Sequence, residues 1–156
     1  EDGPLLAFED SCEYLRSGSY TCKPPADCWL LLDYLGKYRL VDACWHVDLE
    51  DRILEGRDLV GRLSGKRGVV SLCLAALEVY LGNPNHENRE ALRLAYEAVP
   101  RHNRRYCGDM DTKDIPIRMI LYGQQEIESW SHRIASRQRG MSLPEISVPL
   151  VEGPDR

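Results

Sequence analysis

"GVVSLCLAALEVYLGN", residues 68 to 83, decides the fold. From Val69 to Leu77 it carries no charged side chain. Val69 and Val70 would suit a central strand, but the length of the segment and the Ala75-Ala76 pair favour a helix. A helix with no polar face is expected to be enclosed by other helices. Gly82 and the turn-forming "NPN" of residues 83 to 85 end it. "HENREALRLAYEAVP", residues 86 to 100, then spaces Ala91, Leu92, Ala95, Tyr96 and Val99 to face inward, and Pro100 stops it.

The same reading extends in both directions. Upstream, "PADCWLLLDYLGKYRLVDACWHV" (25–47) reads as a helix with Asp27 as N-cap. Trp29, Leu30, Leu31, Tyr34, Leu35, Tyr38 and Val41 form its broad apolar face, and Gly36 weakens or splits it. From Asp48 onward, Leu49, Ile53, Gly56, Val60 and Leu63 mark one stripe of an amphipathic helix. Downstream, residues 114 to 139 place Met119, Ile120, Gly123, Ile127, Trp130 and Ile134 on one long stripe. The first 25 residues mix a short apolar piece with a turn-rich connector. Residues 140 to 156 hold Pro144, Pro149 and Pro154, which prevent a helix and predict an extended or disordered arm.

The expectation is an all-α chain with one helical domain over residues 1–139, partly irregular over 1–25, followed by the arm at 140–156. Five to six helices would form a bundle or an irregular array. A tetratricopeptide array is excluded, because its period of about 34 residues does not recur.

Composition supports an ordinary globular protein, with 43% hydrophobic and 29% charged residues among 156. The longest apolar run is about half of the roughly 18 residues that a membrane span needs, so no membrane partner is expected. The acidic N-terminus does not read as a secretory signal. Six cysteines form no CxxC pair and no repeated spacing, which argues against a zinc ribbon and for reduced thiols in the cytoplasm. Cys22 and Cys28 are close enough to bridge locally, and Cys44 with His46 could extend that pair into a metal set. Residues 1–60 carry 6 basic and 13 acidic side chains, net −7; residues 61–156 carry 14 and 12, net +2. An acidic front half repels phosphates and argues against a general nucleic-acid binder.

The densest chemistry lies in "CGDMDTKDIP", residues 107 to 116. Asp109, Asp111 and Asp114 could offer carboxylates to a hard cation such as Mg²⁺, although the EF-hand glycine and glutamate are absent. The competing reading is local: Asp114 caps a helix opening at Ile115-Pro116, and Asp111 adds favourable charge there. Arg101, Arg104 and Arg105 sit just upstream, where they complement a helix C-terminus or clamp an acidic or phosphate-bearing partner. Arg133, Arg137 and Arg139 stand at a second helix end. Glu128 and His132, four residues apart, predict a solvated ion pair or half of a metal site. Glu78 is the one charge between Val69 and Leu81, and so is either outward-facing or perturbed.

No catalytic or cofactor motif is complete, so no cofactor is expected. The leading expectation is a non-enzymatic module that binds another protein through Arg101, Arg104, Arg105, Asp109 and Asp111. The first alternative is a metal-dependent hydrolase or nuclease, with Asp109, Asp111, Asp114, Glu128 and His132 as the metal candidates. Nucleic-acid binding through the arginine-rich helix ends comes third.

Overall fold

The structure, a computed structural model, describes residues 7–18, 27–32, 34–39 and 48–151. The chain is mostly helical. Two compact units divide it between Ile53 and Leu54.

In the first unit, α1 (Phe8–Arg16) buries Cys12. Arg16 clamps Glu50 at the start of α2 (Leu49–Leu63) by two parallel hydrogen bonds of 3.0 and 2.9 Å. The expected helix over 25–47 is not what forms at its centre. Instead β1 (Trp29–Leu32) and β2 (Gly36–Arg39) pair antiparallel, with Trp29 opposite Arg39 and Leu31 opposite Lys37. Tyr34 and Gly36 both take positive φ, 67° and 99°, which the interior of a right-handed helix does not allow. Lys37 Nζ lies 4.7 Å from the Trp29 ring centroid, and Arg39 pairs with Asp27 at 2.8 Å. Trp29, Leu31, Tyr34, Leu35 and Tyr38, expected on one broad apolar helix face, are all exposed. Val41, Cys22, Cys44 and His46 lie outside the described residues, and Cys28 is a free thiol.

The second unit is built on an α-hairpin of α3 (Val69–Gly82) and α4 (His86–Glu97). Asn85 caps α4 by accepting from the Asn88 N–H at 2.8 Å. Gly68 has no side chain to cap α3, and Asp58 on α2 does so from a neighbouring helix: its Oδ1 accepts from Val69 N–H at 2.8 Å. Cys73, Tyr80, Leu92, Tyr96 and Val99 interlock in the core with Cys107, Ile117, Ile120 and Leu121. The expectation that α3 is enclosed is corrected here. Only Cys73 and Tyr80 on it are fully buried, while Leu72, Val79 and Leu81 are exposed by 45%, 57% and 48%. The lack of charge from Val69 to Leu77 reflects an uncovered apolar flank rather than burial on all sides. Likewise, of the α2 stripe only Ile53 is buried, and Val60 and Leu63 face solvent.

The expected long helix over 114–139 is also broken. It becomes α5 (Ile115–Tyr122), a 3₁₀ segment (Gln124–Ser129) and α6 (Ser131–Gln138). At the first break, Gly123 adopts φ 110° and ψ 166°, a region open essentially to glycine alone. Met119, Ile120 and Trp130 still reach the interior, because the kinked path folds them back onto it. Arg89 of α4 donates to the carbonyls of Ile120 (3.0 Å) and Leu121 (2.8 Å), satisfying the end of α5. Residues 141–151 form neither helix nor strand. They lie along the core: Ile146, Val148 and Val151 pack on it, Tyr80 Oη donates to Pro149 O at 2.8 Å, and Arg133 Nη1 to Pro144 O at 3.0 Å.

Candidate functional site

The acidic loop uses its carboxylates locally. Asp109 Oδ1 accepts from the Asp111 N–H (3.0 Å), the Thr112 N–H (2.5 Å) and the Thr112 hydroxyl (2.7 Å). The Thr112 hydroxyl foremost, then its N–H, holds the Asp109 carboxyl below the usual carboxylate range. The loop closes tightly: a Cβ on Gly108 would lie 1.5 Å from the Lys113 carbonyl oxygen, so only glycine fits there. Asp111 contributes its peptide carbonyl, which accepts from Trp130 Nε1 at 2.9 Å.

Asp114 stands at the α5 N-cap position but makes no side-chain cap bond, which corrects the capping expectation. With φ −91° and ψ 5° its backbone is already turning, and its carboxylate points instead to the Tyr96 hydroxyl, 2.7 Å from Oδ2. Arg104 lies over the other side of that tyrosine, its guanidinium carbon 4.6 Å from the ring centroid. Its Nε donates to Val99 O at 3.1 Å, serving the carbonyl end of α4. Beside this cluster the buried Cys107 thiol is pushed up by its hydrogen bond with Cys73 and then by burial.

The remaining candidates disperse. Glu128 pairs with Arg137 and with Arg133 (3.0 Å) and lies below the usual carboxylate range, chiefly through the Arg137 bond. His132 does not meet it, which corrects the expected pair, because the two residues sit on different helical segments. His132 stacks on Trp130, ring centroids 5.4 Å apart. His102 Nε2 lies 3.5 Å from Glu55 Oε1. Glu78 is exposed on α3. Arg139 is exposed past the end of α6. Among the described residues, no three His, Cys, Asp or Glu side chains gather in a way that could hold a metal ion. Arg101 and Arg105 are exposed, Arg105 lying over the Tyr106 ring at 4.9 Å. Arg105, Tyr106, Met110 and Lys113 line a shallow pocket of 220 Å³, with Met110 almost fully exposed.

A larger concavity lies elsewhere. Leu54 of α2, Val69 and Leu72 of α3, and Ala98 after α4 line an open apolar groove of about 560 Å³. Gly61, on the α2 wall, leaves room that any larger side chain would occupy. Arg57, Lys66 and Arg67 stand along its rim. The one carboxylate there, Asp58, is committed to Val69 N–H and to Arg62, 3.0 Å away. Leu59, Val60 and Leu63 expose further apolar surface on α2. Sequence periodicity pointed these side chains inward, so the groove went unread. The signal that could have found it is the Lys66-Arg67 pair just before the uncharged run from Val69 to Leu77.

The described residues build a mostly helical protein whose second unit is organised on the α3–α4 hairpin. Residues 69–146, which are 78 of the 156, match the family described as domain of unknown function DUF7639, and the chain belongs to that family. No curated protein and no solved structure matches the chain.

Proposed function

We propose that this chain is a non-enzymatic interaction module, a helical array acting in the cytoplasm, that receives another protein in the groove bordered by α2, α3 and the end of α4. One observation carries the reading: Leu54, Val69, Leu72 and Ala98 line an open groove whose surface is mostly apolar, with Arg57, Asp58, Lys66 and Arg67 also on its lining. Such a surface costs about 25 cal/mol for each Å² left in water, and covering it favours association. Arg101 and Asp111, exposed on the same connector as the shallow pocket at Arg105 and Lys113, would add a second, more polar contact. Arg104 and Asp109, both tied into their own helix end and loop, act there by holding the backbone in shape. Segregated charge then selects partners and speeds encounter.

The test is site-specific photo-crosslinking in cells of the protein's own origin, with a photoreactive residue in place of Leu72. The expected result is a discrete adduct that disappears when Gly61→Leu fills the groove. An absent adduct, or one indifferent to Gly61→Leu, overturns the reading.

A further inference from the structure

We infer, resting on the groove reading above, that its occupant is an acidic amphipathic helix: large apolar side chains three and four residues apart, flanked by aspartate and glutamate. The charge argument comes from the rim. Lys66 and Arg67 outnumber the one carboxylate, and Asp58 is already occupied by a backbone N–H and Arg62. In a chain of net charge −5, this is a local reversal of sign. A basic partner would be repelled by Lys66 and Arg67, whereas an acidic one gains complementary potential at the rim.

The secondary structure of the occupant follows from the walls. The groove is bordered by helices, and the described residues from 54 to 151 contain no strand. No sheet edge therefore offers peptide groups to an extended segment. A chain laid on this floor must satisfy its own N–H and C=O groups, and a helix does so internally while presenting one apolar stripe.

The full chain would be titrated with three synthetic helical peptides: a leucine stripe with glutamate flanks, the same stripe with lysine flanks, and glutamate flanks with serine replacing the stripe. The first should bind, and binding should weaken at least tenfold in either of the others. Affinity should fall as salt rises. The double variant Lys66→Glu/Arg67→Glu, confined to exposed side chains, should bind the glutamate peptide about tenfold more weakly, and Gly61→Leu should abolish binding. Equal or tighter binding of the lysine peptide would overturn the acidic occupant. If the Leu72 adduct persists and is lost in Gly61→Leu at the same time, the interaction module itself still stands. Self-association that Gly61→Leu abolishes would assign the groove to a second copy and overturn the peptide. No peptide binding together with no Leu72 adduct would overturn both.

Discussion

Tyr96 and Asp114, 18 residues apart in sequence, join two helices: the buried phenol on α4 donates to the half-buried carboxylate just before α5, at 2.7 Å. The bond fixes where α5 begins, since Asp114 spends its side chain on Tyr96 rather than on the helix terminus. Tyr96→Phe keeps the ring and its contact with Arg104 but leaves the carboxylate short of a donor. We expect a loss of about 1–3 kcal/mol in chemical denaturation.

The same pair sets an alkaline limit. Burial, then the Asp114 bond, pushes the Tyr96 phenol above its ordinary 10.0. The folded state therefore holds that proton more tightly than the unfolded state. Its contribution is fully present below pH 10 and is lost as pH climbs beyond it. In denaturation series across alkaline pH, the stability gap between the native chain and Tyr96→Phe should narrow above pH 10. A gap that widened would contradict the assignment.

Gly123 carries the break between α5 and the following 3₁₀ segment. Gly123→Ala should cost about 1–3 kcal/mol, because alanine strains at φ 110° and ψ 166°. Its Cβ would also meet Gln125 Oε1 at 2.4 Å, a flexible side chain that can withdraw. The backbone is thus the main source of the cost. A lowered urea midpoint with unchanged slope is the expected reading.

Arg89 ties α4 to the last carbonyls of α5 with a two-pronged grip. Arg89→Met should lower stability by about 2–3 kcal/mol, leaving two partly buried acceptors unsatisfied. Arg89→Lys should recover only part of this, since an ammonium cannot reproduce the planar fork. Thermal unfolding of the three proteins side by side gives the comparison.

Asp58 supplies the cap that α3 lacks. Asp58→Ala should cost about 1 kcal/mol and loosen the first turn of α3, seen as faster amide exchange at Val69 and the residues after it. Asp58→Asn, which keeps an oxygen acceptor, should fall between the two.

The hairpin of α3 and α4 was legible in the chain because length, an alanine pair, a glycine stop and the turn-forming residues 83 to 85 all point the same way there. Arg104 was legible too as a helix-end residue. The β-hairpin was not. Trp29, Leu31 and Tyr38 suit either period, and the positive φ of Tyr34 follows from no residue preference. Nor was the break at Gly123 visible, since the kinked path preserves most of the stripe. The groove was hidden for a different reason: it exists only because α2 lies beside α3, a tertiary placement that periodicity does not encode.

Both ends of the family-matched stretch borrow from outside it. Upstream, residue 58 terminates a helix that starts at residue 69; downstream, the Pro149 carbonyl receives the Tyr80 proton, and Val148 and Val151 seal the interior. Recognisable ancestry and the smallest self-sufficient piece of chain therefore have different borders. A fragment trimmed to 69–146 would expose raw seams at both margins, whereas one running from the start of α2 through Val151 keeps them closed.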